Sequence, residues 1–348
     1  MYLGILTAGR RCDAGAGGTP TSASPPGGLS RWDPAGGRTV LDRRVLRHTF
    51  LALSRSARAR EVVTRAPLFR PAVRRFIAGE TLDEALAVVA ALNARGLLAT
   101  LDVLGEATVS EADARAAASA YVEVLDAIDR TGLQSNVSLK LSQLGLDISP
   151  DLAAELLGEV VRRAAALGNF VRVDMEDSSR LPATLQVFDR IWEAGWHNTG
   201  IVLQAYLYRT PDDAERYIRR GVNIRLCKGA YDEPPTVAFP RKADVDRQFA
   251  RLSQRLLTAG TYAAIATHDE SLIAHARAVA AAHAVPSTRY EFQMLYGIRR
   301  DLQEALVRQG YRLRVYVPFG RYWYPYFMRR LAERPANVLF LASHLIRG

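Results

Sequence analysis

The chain has 348 residues, 49% of them hydrophobic, which suits one large domain with an extension or two small domains. Its formal net charge is +10, yet only three of its 46 cationic residues are lysine: Lys140, Lys228 and Lys242. Two cysteines, Cys12 and Cys227, exclude a disulfide framework, the six scattered histidines offer no metal-ligand spacing, and no apolar run approaches the ~20 residues of a membrane span.

Residues 1–38 are rich in Gly, Ala, Ser, Thr and Pro and bury too little apolar surface to offset ordering entropy, so they are expected to be disordered. Met1 to Leu6 is too short an apolar stretch for a signal peptide and has no basic region before it. From Leu41 to Ala94 the pattern is helical. Val40 to Arg75 carries ten arginines against Asp42 and Glu61. Such a face suits solvent or an anionic membrane surface. It has no interleaved aromatics to stack bases, which argues against nucleic acid. Thr81 and Glu84 have the spacing of a capping box, opening a helix over Ala85–Leu92.

Beyond that point apolar, β-branched runs alternate with helical patterns. Strands are predicted at Leu97–Leu104, Asn136–Leu141, Phe170–Met175, Gly200–Ala205, Val222–Cys227, Tyr262–Thr267, Tyr290–Leu295 and Arg312–Val317. Helices are predicted between them at Glu111–Thr131, Asp151–Leu167, Leu181–Ala194, Pro211–Arg220, Val245–Ala259, Glu270–Ala284 and Arg300–Gln309, with a last one at Tyr324–Arg334. Eight such units over roughly 250 residues imply an α/β fold, a closed (β/α)8 TIM-type barrel with an N-terminal helical arm. A doubly wound open sheet would carry a glycine-rich fingerprint after its first strand, and Leu104-Gly105-Glu106-Ala107 is not one. The expected organisation is a 1–38 disordered segment, N-terminal helices over 39–95 and a barrel over 96–348.

Barrels place their chemistry at the C-terminal ends of the strands. Those ends carry Asp102, Glu106, Lys140, Asp174, Glu176, Gln204, Arg225, Lys228, His268, Asp269, Gln293 and Tyr316, and the final helix adds Arg329 and Arg330. Each alone reads as a solvated strand end. Together they form a polar ring that is costly without partners. Adjacent arginines suit a carboxylate or phosphate. The Lys228-Gly229-Ala230 turn suits an anion. A lysine at a strand end also suits a Schiff-base nucleophile, so a class I aldolase-type barrel using Lys140 or Lys228 is an alternative.

Five segments, Val137-Ser-Leu-Lys-Leu-Ser-Gln-Leu-Gly145, Val171-Arg-Val-Asp-Met-Glu-Asp177, Asn223-Ile-Arg-Leu-Cys-Lys-Gly-Ala-Tyr231, Ala266-Thr-His-Asp269 and Tyr322-Trp-Tyr-Pro-Tyr-Phe-Met-Arg-Arg330, together resemble the monofunctional bacterial proline dehydrogenases. The resemblance runs from about residue 40 to the C-terminus. It implies a cytoplasmic flavoprotein, peripheral at the inner face of the plasma membrane. Such an enzyme uses non-covalent FAD to oxidise L-proline to Δ1-pyrroline-5-carboxylate and passes electrons to membrane quinone. Carried over by position, Arg329 and Arg330 clamp the proline carboxylate with Lys140 as a third cation, and Tyr316 packs on the ring. Asp174 orients Lys140 and the local charge network, and Arg225 lies beside the flavin. Met175, Gln204, Lys228, Gly229, Ala230, Thr267 and His268 hold the cofactor. Glu106 gates the site by pairing with Arg329, and Glu333 reaches toward the cofactor.

Overall fold

The computed structural model describes residues 73–333. In chain order the elements are α1 (Leu82–Asn93), β1 (Leu98–Val103), α2 (Glu111–Thr131), β2 (Ser135–Leu139), α3 (Pro150–Ala166), β3 (Val171–Val173), α4 (Leu181–Glu193), β4 (Thr199–Gln204), α5 (Thr210–Arg219), β5 (Asn223–Cys227), α6 (Lys242–Ala259), β6 (Tyr262–Ala266), α7 (Glu270–Ala282), β7 (Tyr290–Leu295), α8 (Arg300–Arg308), β8 (Leu313–Phe319) and α9 (Trp323–Glu333). All eight strands pair in parallel, each with its neighbour in sequence, and β8 closes on β1. This is the (β/α)8 barrel that the alternation predicts. The segment 1–38, and most of the arginine-rich stretch from Val40, lie outside the described residues.

Local chemistry sets the element ends. The capping box at α1 is formed: Thr81 Oγ1 accepts from the Glu84 amide at 3.3 Å and Glu84 Oε2 accepts from the Thr81 amide at 3.3 Å. β2 ends at Leu139 rather than Leu141, because Lys140 leads into a 3-10 turn over Leu141–Leu144. That turn sends Gln143 back to donate to the Val103 carbonyl at 2.9 Å. β8 continues to Phe319, past the expected end at Val317. α6 begins at Lys242, earlier than Val245, with Arg241 bonded to Asp244 across its first turn.

One strand parity supplies the hydrophobic core under the helices, through pairs such as Leu101 with Val137, Val173 with Ile201, and Leu226 with Ile265. The other parity points into the barrel and is polar. At its floor, Arg172 on β3 reaches across β4 to donate to the Asn223 carbonyl at 2.7 Å and the Ile201 carbonyl at 3.1 Å. Gly200 permits that crossing: a Cβ there would lie 2.5 Å from the Asn223 oxygen and 2.6 Å from Arg172 Nη1. Beside it, Glu291 accepts from Arg314 Nε at 2.8 Å and from the Tyr262 hydroxyl at 2.9 Å.

The helix ring departs from simple alternation. α1, which precedes the first strand, packs on β1 and β8. α9 does not join that layer. Its Trp323, Tyr324, Tyr326, Phe327, Met328 and Leu331 form a second hydrophobic cluster with Val73, Phe76, Ile77, Leu104 and Ile298. Leu104 follows β1 and Ile298 follows β7, so α9 lies at the strand-end side of the barrel. Burying several aromatic side chains there, at about 1.5–3 kcal/mol each, holds the helix at the mouth.

Candidate active site

Above the floor, inward-facing residues of the upper strands form a second polar layer. Arg225 on β5 donates from Nη1 to Asp174 Oδ1 at 2.7 Å and from Nη2 to Ser138 Oγ at 2.9 Å. The Tyr316 hydroxyl on β8 donates to Asp174 Oδ2 at 2.8 Å, and the Arg225 guanidinium lies 5.5 Å from the Tyr316 ring. Lys140 Nζ donates to Asp102 Oδ1 at 2.9 Å and Oδ2 at 3.2 Å.

Asp174 thus holds the local charge network through Arg225 and Tyr316, while the hydrogen bonds to Lys140 come from Asp102. Asp102 makes the direct contact because β1 and β2 are adjacent and Asp102 and Lys140 share the inward parity. Asp174 acts on Lys140 through charge alone. Burial by itself would lower the Lys140 pKa, but the Asp102 and Asp174 charges outweigh it and raise the pKa. Burial pushes the Asp102 carboxyl up against the pull of Lys140. A lysine held as ammonium is a poor Schiff-base nucleophile, and Lys228 is likewise clasped between Asp246 at 2.6 Å and Asp269 at 3.0 Å. Both lysines of the aldolase alternative are thus ion-paired.

A cavity of about 240 Å³ opens beside this layer, lined by Leu104, Glu106, Lys140, Ser142, Glu176, Arg180, Tyr231, Tyr322, Tyr326 and Arg329, among others. Arg329 reaches it from α9. Arg330 is buried, with its guanidinium 5.0 Å from the Tyr326 ring. Glu106 and Arg329 line the same cavity without forming an ion pair to each other. Glu176 is buried and accepts from Ser142 Oγ at 2.5 Å; burial raises its pKa. Tyr231, to which sequence reasoning assigned no role, has its hydroxyl pushed up to about 12 by burial and then by the Glu176 charge. The Glu333 side chain lies outside the described residues.

The residues expected to hold a cofactor sit on β3 to β6 and the loops after them. Met175, Gln204 and Thr267 are buried. His268 Nε2 accepts from the Leu295 amide at 2.9 Å, which leaves Nδ1 to carry the proton of a neutral ring. Gly229 has φ +109°, and a Cβ there would meet the Tyr206 ring at 2.3 Å. That packing by itself demands glycine at this position; Ala230 beside it is exposed. Lys242, without a role among the sequence-based expectations, joins the same cluster as Lys228, pairing with Asp246 and lying 3.5 Å from Asp269.

Among the buried side-chain atoms without a hydrogen-bond partner are Gln204 Oε1 and Arg225 Nε. They lie on adjacent strands, where Val202 pairs with Arg225 and Gln204 with Cys227. Buried polar atoms left without partners are costly, and a polar ligand would satisfy them. Sequence reasoning missed Ser138 and Tyr121, which support this layer, and gave Asp102 no role. The signal for Ser138 and Asp102 was the period-two repeat of polar residues in the strands, as in Thr100/Asp102, Ser138/Lys140 and Arg172/Asp174.

Comparison with known proteins places these observations. A family profile described as "Proline dehydrogenase" matches residues 85–343. The chain is 42% identical over 303 residues to "Proline dehydrogenase 1" of Bacillus subtilis (strain 168), covering 87% of this chain and 100% of that protein. It is 42% identical over 278 residues to "Proline dehydrogenase" of Deinococcus radiodurans, covering 79% of this chain and 90% of that one. Among solved structures it resembles proline utilization A from Bdellovibrio bacteriovorus inactivated by N-propargylglycine, with a TM-score of 0.72 and 28% identity. That match covers 84% of this chain and 35% of the longer polypeptide.

Proposed function

The chain belongs to the proline dehydrogenase family and is an oxidoreductase that acts on proline in the first step of proline catabolism; from this premise we propose that the barrel mouth binds FAD and oxidises L-proline to Δ1-pyrroline-5-carboxylate. The observation that carries the cofactor assignment is the pair of buried, unpartnered atoms on neighbouring strands, Gln204 Oε1 and Arg225 Nε. One accepts and one donates, and the polar edge of an isoalloxazine ring offers both kinds of partner. The residues present therefore fit the group. Met175, Gln204 and Arg225 would hold the ring, and Lys228, Gly229, Ala230, Thr267 and His268 the ribityl, phosphate and adenosine portions. When bound, FAD would supply a two-electron acceptor for the hydride of the ring carbon next to nitrogen.

The chain's own residues bind, orient and desolvate. Arg329 and Arg330, presented by α9, and Lys140, held as ammonium, would take the proline carboxylate. Asp174 fixes Arg225 and the Tyr316 hydroxyl through bonds of 2.7 and 2.8 Å, so the guanidinium and the phenol ring have one mutual arrangement. Tyr316 would pack on the proline ring, where its bulk disfavours a ring hydroxyl. Tyr231, Tyr322 and Tyr326 wall the cavity and would exclude water, strengthening each charge interaction inside. Three cations around the carboxylate also disfavour a protonated substrate amine, and the free amine is the form whose lone pair assists hydride departure.

Quinone as electron acceptor rests on the family resemblance. Contact with an anionic membrane face is supported by the ten arginines between Val40 and Arg75. Among the described residues no helix is long and apolar enough to cross a membrane.

The test is an absorbance spectrum of the purified protein before and after anaerobic addition of proline. A flavin spectrum that bleaches on addition supports the proposal. A colourless protein, or a flavin indifferent to proline, would sink it.

A further inference from the structure

Asp102 is a fully buried carboxylate with no assigned part in the reaction. It lies on β1, one strand from Lys140, and both of its oxygens accept from the same ammonium, at 2.9 and 3.2 Å. An ammonium has three donors. Two are spent on Asp102, which leaves one, and Lys140 itself lines the cavity. Asp102 is fixed in turn. The Tyr121 hydroxyl from α2 lies 3.4 Å from its Oδ1 and 3.1 Å from Gln143 Oε1. A lysine stem is otherwise flexible, and burial by itself would drive its ammonium to give up the proton.

We propose that Asp102 is the positioning residue of the substrate-carboxylate site: by holding two donors of Lys140 it keeps that side chain charged and directs its remaining donor at the carboxylate. This rests on the reading of Lys140 as a carboxylate contact. The groups facing Lys140 are Asp102 from β1, Asp174 and Glu176 from the loop after β3, and Tyr231 from the loop after β5. Of these, Asp102 makes the hydrogen bonds.

The experiment is a double-mutant cycle on the cofactor-loaded enzyme with Asp102→Asn, Lys140→Ala and the pair. Asparagine keeps the shape but replaces one acceptor with a donor that faces the ammonium. Asp102→Asn is expected to raise KM for proline about tenfold or more, with a smaller change in kcat. In the Lys140→Ala background it should add less than about twofold, because Asp102 acts through the lysine. A second readout is the Kd of oxolane-2-carboxylate, which has the ring and carboxylate but no titrating amine. In Asp102→Asn its binding should be lost at lower pH on the alkaline side than in the native enzyme, as Lys140 gives up its proton sooner. A merely structural role would not move that limb. If the asparagine protein does not fold, Asp102→Glu keeps the charge but shifts it by a methylene and should raise the same KM and Kd. An effect of Asp102→Asn that multiplies fully with Lys140→Ala, or an unchanged KM beside a raised one in Lys140→Ala, would overturn the proposal while leaving the carboxylate site standing. An unchanged KM in Lys140→Ala removes both.

Discussion

Glu291 and Asp102 are both carboxylates sealed inside one barrel, yet their pKa values are shifted in opposite directions. Burial pushes Glu291 up, but Arg314, with bonds from Gln293 and Tyr262, brings it below its ordinary value. Burial pushes Asp102 up too, and there the pull of Lys140 does not restore it. Glu291 accepts from three residues at the floor, Gln293 at 2.5 Å, Arg314 at 2.8 Å and Tyr262 at 2.9 Å. Asp102 has one charged partner, Lys140, with the Tyr121 hydroxyl at 3.4 Å and the Tyr316 hydroxyl also bonded to it. At the floor, Arg172, Glu291 and Arg314 spend their polar groups on protein partners. Toward the mouth, Gln204 Oε1 and Arg225 Nε are left unspent. A buried charge is therefore no sign of function; unspent hydrogen-bonding capacity at the strand ends is the more telling feature.

The largest effect expected from this contrast is at the floor. Arg314→Leu strands Glu291 without its charge partner and should cost about 3–5 kcal/mol. The thermal midpoint should fall by about 10 °C, while KM for proline in the folded fraction stays as it was. A raised KM with an unchanged midpoint would erase the distinction between the two layers. At the mouth the reverse is expected. Arg330→Met should raise KM for proline about 10- to 100-fold by removing a charge-assisted contact, with the fold intact by circular dichroism. An unchanged KM would take Arg330 out of the carboxylate clamp.

Smaller effects sharpen the same line. Tyr316→Ser opens space over the substrate ring and should shift relative kcat/KM toward hydroxyproline by about tenfold; no shift would mean that this ring does not set selectivity. Acidification should separate the layers by pH. Asp102, raised when folded, takes its proton above the ordinary carboxylate range, which loosens Lys140. Glu291, lowered when folded, contributes stability that is present above its unfolded value of about 4.3 and is lost only as pH falls through its folded value. As pH falls toward the ordinary carboxylate range of about 4, affinity for oxolane-2-carboxylate should weaken before the thermal midpoint drops. Simultaneous loss of both would show one titrating unit rather than two.

Much of the fold was legible from pattern. Tyr290–Leu295 was read to the residue, and Glu111–Thr131 likewise. β-Branched apolar runs and amphipathic helices are local properties, and Thr81 with Glu84 marks a helix start by spacing alone. The polar strand ends were legible too, because a charged residue closing an apolar run stands out. The floor was not: Arg172, Glu291 and Arg314 sit within strands, and only their alternation with apolar neighbours betrays an inward face.

The sequence by itself determined the number of strands, their order and the set of polar residues delivered to one rim, since periodicity and parity are fixed by the chain. It also drew attention to three lysines in an arginine-rich protein. Only the tertiary structure decided what each lysine meets. Lys140 lies on Asp102 rather than Asp174, and Lys228 and Lys242 share Asp246 and Asp269. It likewise decided that α9 leaves the helix ring and lies at the mouth, carrying Arg329 to the cavity. The reason is physical: a side chain's partner depends on which strands lie side by side and which faces cover one another. Those are distances between residues far apart in the chain, and local propensity carries no record of them.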